Sequence, residues 1–79
     1  MRILKFYSPT CGPCKVITER LKEAKLDYED YDVTNESNQF LIDKYEIKSV
    51  PTLVLLKGNI VKKKTGIFSS EELRKWADS

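Results

Sequence analysis

The 79-residue sequence predicts an α/β fold in the order βαβαββα, a four-stranded mixed sheet flanked by three helices. Three observations carry that expectation. A nearly continuous apolar run of β-formers, Ile3 to Tyr7, is soon followed by apolar positions at helical spacing, Cys14, Ile17, Leu21 and Ala24. Two strand-like runs, Thr52 to Leu56 and Ile60 to Lys64, stand either side of Lys57-Gly58-Asn59, which reads as the turn of an antiparallel hairpin. Near the end, Ser69 and Glu72 have the spacing of a capping box, and Phe68 and Leu73 occupy the two positions of a hydrophobic staple.

Each element has a local reason. Arg2 to Tyr7 is apolar almost throughout and rich in β-formers, as a buried central strand must be, with Lys5 its least expected residue. Ser8-Pro9-Thr10 breaks it. A helix then runs from Pro13 to about Lys25, with Lys15, Glu19, Lys22 and Glu23 outside its apolar stripe. Leu26 to Val33, with Tyr28, Tyr31 and Val33 among acidic residues, reads as a second, more exposed strand. Thr34-Asn35-Glu36-Ser37 is turn and cap chemistry, and a short helix from about Asn38 to Tyr45 is expected to carry Phe40, Leu41 and Tyr45 on one side. Trp76 and Ala77 continue the buried side of the last helix. A right-handed crossover makes the first two strands parallel, and the hairpin adds the other two. With no internal repeat or linker, residues 1–79 are expected to form one domain.

Composition narrows the function. A chain this short buries roughly 60% of its unfolded surface, so a modest stability of about 4–12 kcal/mol is expected. The net charge is +2 with acids and bases interspersed, which leaves no stripe for nucleic acid. Lys62-Lys63-Lys64 is expected to be the solvated end of an edge strand, where lysines discourage sheet-to-sheet aggregation. No apolar run is long enough to cross a membrane, and Met1 is followed almost at once by strand residues. Neither nucleic acid nor membrane is therefore an expected partner, and the cytoplasm is the expected location. Cysteine pairs there are catalytic or metal-binding rather than structural. The chain has two cysteines and no histidine, too few ligands for a structural zinc, so no metal is expected.

The chemistry concentrates in Thr10-Cys11-Gly12-Pro13-Cys14-Lys15. A Cys-x-x-Cys between a strand and a helix is a redox signature. The first helical turn points unpaired N–H groups and partial positive charge at Cys11, which favours its thiolate, the nucleophilic form. Gly12 is expected to keep the turn narrow, and Pro13 suits a helix opening because its missing N–H has no partner to lose there. Cys14, one turn in and on the face of Ile17 and Leu21, is the shielded second thiol. Two thiols held this way can cycle between dithiol and disulfide.

Phe6-Tyr7-Ser8-Pro9-Thr10-Cys11-Gly12-Pro13-Cys14-Lys15 resembles the active-site segment of thioredoxins. Ser49-Val50-Pro51-Thr52-Leu53 is similar to that family's cis-proline loop, and Gly66 follows the last strand as it does there. The resemblance covers nearly the whole chain but lacks the extra N-terminal strand and helix of ordinary thioredoxins, so the length looks more like a glutaredoxin. It implies a thioredoxin fold and a thiol–disulfide oxidoreductase that reduces protein disulfides through Cys11 and Cys14. It implies no cofactor beyond the redox-active Cys11–Cys14 disulfide, an upstream reductase such as thioredoxin reductase, and a monomer. The implied substrate contacts fall on Thr10, Gly12, Pro13, Val50, Pro51, Gly66 and Ile67. Val50 would offer its backbone in strand-like pairing, a cis Pro51 would set the loop beside the sulfurs, and Gly66 would allow close approach.

Two other functions stand beside this one: a glutaredoxin-like electron donor to one enzyme such as ribonucleotide reductase, and a redox-independent thioredoxin-like binding module. The anion-site residues typical of glutaredoxins are replaced by Ser-Val-Pro and Thr65-Gly66-Ile67-Phe68. The chain also departs from the thioredoxin pattern. The buried aspartate six residues before the first cysteine is Lys5, and the lysine of the neighbouring strand corresponds loosely to Asp30. They are either a charge-swapped pair that assists Cys14, by proton transfer or electrostatically, or surface groups. Thr10 replaces a tryptophan, which makes the docking surface smaller and less apolar. Glu46 replaces a helix-ending glycine and is mildly strained if its backbone is left-handed.

Overall fold

In the computed structural model, which describes residues 1–78, the chain is built around its first strand, β1 (Arg2–Tyr7). β1 pairs parallel with β2 (Glu29–Asp32) and antiparallel with β3 (Thr52–Lys57), and β3 pairs antiparallel with β4 (Ile60–Thr65). Among the described residues the sheet order is therefore β2-β1-β3-β4. Side chains alternate across a strand, so β1 feeds two layers. Ile3, with Leu53 and Leu55 of β3, packs under α1 (Gly12–Glu23) and α3 (Ser70–Asp78) through Ile17, Leu21, Leu73 and Ala77. Leu4 and Phe6, with Val54, face α2 (Gln39–Lys44), which follows a 3₁₀ turn at Glu36–Asn38.

Both α1 and α2 end the same way. Past α1, the Lys25 N–H donates to Lys22 O (3.0 Å) and the Leu26 N–H to Leu21 O (3.1 Å); past α2, Glu46 donates to Asp43 O (3.3 Å) and Ile47 to Ile42 O (2.9 Å). These crossed bonds are the Schellman arrangement, and each is closed by an apolar pair, Leu21 with Leu26 and Ile42 with Ile47. The arrangement needs a left-handed residue, and Lys25 (φ 58°) and Glu46 (φ 51°) supply it without being glycine. The Lys63 ammonium donates to Tyr45 O (3.0 Å) and Glu46 O (3.2 Å), tying the end of α2 to β4. At α3 the Glu72 N–H donates to Ser69 Oγ (3.1 Å). The returning half of the box is the Ser69 hydroxyl donating to Glu72 Oε1 (3.4 Å), in place of a carboxylate on the Ser69 backbone.

Three expectations change. Phe40 does not join the buried side of α2: it is 67% exposed, while Leu41, Ile42 and Tyr45 pack on the sheet. The helix starts only at Gln39, after a stretch of tighter pitch, and the side facing the sheet then falls one residue later. The second strand is shorter than Leu26 to Val33, because Leu26 belongs to the closure of α1 and Val33 adds a single bond to Tyr7 O (2.8 Å) beyond the ladder. The lysines of β4 lie on an edge strand as expected, yet Lys63 holds α2 and the Lys64 ammonium stands 3.8 Å over the Phe68 ring.

At the other edge, the Arg2 guanidinium forks onto both Glu29 oxygens (2.8 Å each), and the Tyr31 hydroxyl also donates to Glu29. The Arg2 hydrogen bond first, then that of Tyr31, pushes the Glu29 carboxyl down to about 2 from 4.5. A depressed carboxyl stabilises the fold above its unfolded value and loses that contribution as the pH falls through the folded one. The pair is open to water, so the effect is modest.

Two outcomes are expected. Glu29→Gln lowers the urea midpoint slightly at neutral pH, and the deficit against wild type shrinks between about pH 4.5 and about pH 2, because wild type loses the same contribution there. Glu46→Gly raises stability by up to about 1 kcal/mol, since relief of left-handed strain outweighs the added chain entropy of glycine; urea unfolding at constant slope reads it directly.

Candidate active site

Four residues, Ser8 to Cys11, join the end of β1 to the start of α1, and the loop turns on the Cys11 N–H donating to Ser8 O (3.2 Å). Cys11 is the N-cap of α1, with extended backbone (φ −89°, ψ 106°), and its Sγ accepts the Cys14 N–H at 3.1 Å. A sulfur thus takes the place usually held by a serine or aspartate oxygen at a helix start. The Cα atoms of Cys11 and Cys14 lie 5.3 Å apart, inside the range a disulfide spans, and the two sulfurs are bonded. Cys14 is only 4% exposed, one of the buried positions of α1 with Ile17 and Leu21, whereas Cys11 is partly open and Thr10, Gly12 and Pro13 are exposed. Gly12 has an ordinary negative φ, and a Cβ added to it meets nothing within 4 Å. The turn is therefore set by the cap and by Pro13 rather than by Gly12.

Lys5 and Asp30 come together. They are register partners across β1 and β2, and the Lys5 ammonium meets Asp30 Oδ1 at 2.6 Å. The Lys5 side chain is 7% exposed and that of Asp30 50%, so Lys5 is no surface group. Its Nζ also donates to Thr18 Oγ1 (2.5 Å), and the Thr18 hydroxyl donates onward to the Cys14 carbonyl (3.0 Å). The rings of Tyr7 and Tyr28 flank it at 5.1 and 5.0 Å. Burial first, and then the Asp30 charge, push the Tyr28 phenol up from its ordinary value. Lys5, Asp30, Thr18, Cys11 and Cys14 line one hollow of about 290 Å³.

The Val50–Pro51 peptide bond is cis. The loop is tied on both sides: Pro51 O accepts the Gly66 N–H (3.0 Å), and the Thr52 hydroxyl donates to Ser49 O (2.7 Å). Gly66 has φ 109°, a conformation open to glycine and little else, and Ile67 beside it is 46% exposed. A second hollow, of about 270 Å³, is lined by Val50, Ser49, Lys48, Ile47 and Val33, and by Ser8, which also borders the sulfur hollow. Ser8 is thus where the proline loop and the cysteine loop meet.

Sequence reasoning missed Thr18, although its place four residues after Cys14 on a helix was the available signal. The faces of Tyr7 and Tyr28 line the ammonium, a role the sequence did not suggest.

A family model described as Thioredoxin matches residues 1–79. Thioredoxin of Staphylococcus aureus (strain N315) is 35% identical over 83 aligned positions, covering 99% of this chain and 80% of that protein. Thioredoxin-T of Drosophila melanogaster is 35% identical over 63 positions, 75% of this chain, and the match spans 40% of that longer protein. Among solved structures, thioredoxin 1 from Thermosipho africanus superposes with a TM-score of 0.73 at 25% identity, over 99% of this chain and 91% of the other.

The exposure of the two sulfurs sets an expected outcome. Brief treatment of the reduced protein with iodoacetamide near neutral pH labels Cys11 several times faster than Cys14, as peptide mapping reads; preferential labelling of Cys14 would reverse the assignment.

Proposed function

The chain belongs to the thioredoxin family, and from that premise we propose that it reduces protein disulfides through Cys11 as attacking thiolate and Cys14 as resolving thiol. The observation that carries this reading is the Cys11 sulfur at the tip of α1, taking a backbone N–H while Cys14 is shielded behind it. In the reduced protein the same N–H and the end of the helix favour a thiolate at Cys11. That thiolate attacks one sulfur of a substrate disulfide, and the other leaves as a thiolate that takes a proton. Cys14, once deprotonated, attacks Cys11 Sγ; the Cys11–substrate bond breaks and the second substrate sulfur leaves. Two electrons have passed to the substrate, and the protein carries the Cys11–Cys14 disulfide seen here. Family members need no cofactor beyond that disulfide.

Docking follows the same loops. Val50 offers its backbone beside the cis Pro51, Gly66 leaves room across from it, and Thr10, Gly12, Pro13 and Ile67 form the exposed rim. The hollow beside Val50, bordered by Val33 and Ile47, suits an apolar side chain of the substrate strand. The partners of this reading are disulfide-containing proteins and an upstream reductase such as thioredoxin reductase. It places a monomer in the reducing cytoplasm, where a disulfide must be remade in each cycle. The single-enzyme electron donor and the redox-independent module are not favoured, because the family model and the relatives are thioredoxins and the two sulfurs are bonded.

A pair of coupled assays tests the reading. Insulin disulfides reduced through a thioredoxin reductase couple are expected to turn over faster than a glutathionylated peptide through the glutathione couple, and Cys11→Ser abolishes both. The reverse order would place the chain functionally with glutaredoxins.

A further inference from the structure

The cycle above needs a proton to leave a buried sulfur, and a charged pair lines the same hollow as Cys14. Among the described residues, Lys5 is the one buried charged side chain. A lysine stem can snorkel to water, yet this ammonium stays inside, in contact with Asp30 Oδ1, Thr18 Oγ1 and two tyrosine faces. The pair is asymmetric. Asp30 is half in water and Lys5 is not, so solvent screens the negative charge more than the positive one, and the interior experiences the cation. Cys14, 4% exposed, lines the same hollow on that interior side.

Resting on the reading of Cys14 as the resolving thiol, we propose that Lys5 is the positioning residue of the resolving step, its buried ammonium stabilising the Cys14 thiolate, with Thr18 and the faces of Tyr7 and Tyr28 holding it in place while Asp30 partly masks its charge. In that step the Cys14 S–H bond breaks and its proton passes to water in the hollow. The sulfur keeps the electron pair, attacks Cys11 Sγ, and the Cys11–substrate S–S bond breaks with its electrons on the departing sulfur. Lys5 gives up no proton and Asp30 takes none. The titratable and charged groups around Cys14 are Lys5 and Tyr7 of β1, Cys11 at the N-cap of α1, Lys15 of α1, and Asp30 of β2, with Tyr28 against Lys5. Burial and then the Asp30 charge push the phenol of Tyr28 up from its ordinary value.

Losing the cation raises the Cys14 pKa; for a rise of about one unit, the thiolate fraction below it falls about tenfold. A more basic thiolate is also a better nucleophile, with a Brønsted slope of about 0.4–0.5, which recovers about half of that in the exponent. The net effect is resolution about threefold slower below the pKa and about threefold faster above it. A damaged core would slow the step equally at every pH.

The test mixes the fully reduced protein with Ellman's disulfide in a stopped-flow instrument. The first thionitrobenzoate reports attack by Cys11, and the second, independent of reagent concentration, reports resolution by Cys14. From about pH 6 to about pH 10, Lys5→Met is expected to shift the second phase to higher pH, about threefold slower near neutrality, while Lys5→Arg stays near wild type. Asp30→Asn, which unmasks the cation on an exposed edge of the hollow, shifts it the other way and speeds resolution up to about threefold. An unshifted profile in Lys5→Met, a pH-independent loss shared by Lys5→Arg, or slower resolution in Asp30→Asn would each overturn the proposal, the last by making Asp30 the proton acceptor. If Lys5→Met does not fold, the sign of the Asp30→Asn shift decides. Wild type that resolves normally but leaves insulin unreduced would instead remove the functional reading and leave the role of Lys5 standing.

Discussion

β1 is hydrogen-bonded along both edges and covered on both faces, and the rest of the molecule follows from that constraint. A strand in such a position has no side open to water, so its residues must be apolar or find partners inside. Ile3, Leu4 and Phe6 meet the first condition, each essentially unexposed. Lys5 meets the second, through a carboxylate, a hydroxyl and two aromatic faces drawn from the neighbouring strand, the helix above and the strand itself. The same strand ends at Tyr7, four residues before the first sulfur, so the order of the central strand is also what holds the reactive loop still.

The site is made of junctions. The end of β1 delivers Cys11 to the tip of α1, and the turn into β3 delivers Val50 and Pro51 to the same end of the sheet, where Ser8 borders both hollows. Backbone at such ends has unpaired groups that must be satisfied. Here one is satisfied by a sulfur, Cys14 N–H on Cys11 Sγ, and another by the loop opposite, Gly66 N–H on Pro51 O. The bonds that complete the fold at these points are the ones that arrange the chemistry. Away from them, the left-handed Lys25 and Glu46 show the chain accepting local strain where apolar closure of a helix end offsets it.

Charge is distributed by depth. At the open edge Arg2 and Glu29 pair in water, where the attraction is largely screened and sharpens register more than stability. Three residues along the same strand Lys5 pairs with Asp30 across the boundary between interior and solvent, and the unequal screening of its two ends gives the pair an electrostatic direction. Each pair is one cation and one carboxylate, and what separates them is where the cation lies.

The sequence alone determined the order of elements, the central place of Arg2 to Tyr7, the hairpin about Gly58, the staple of Phe68 and Leu73, and the place of the two sulfurs at a helix start. All of these rest on periodicity, turn chemistry and capping, which act over a few residues and so are written locally. The family resemblance added Pro51, Gly66 and the correspondence of Lys5 with Asp30. Only the tertiary structure decided which way α2 turns Phe40, where β2 stops, that Gly12 is not what makes the turn, and that Thr18 links Lys5 to the Cys14 carbonyl. It also set Lys5 inside rather than at the surface, against a carboxylate 25 residues away in the chain. That distance closes only when the parallel register of β1 and β2 sets Lys5 opposite Asp30, and register is a property of the packed sheet rather than of either strand.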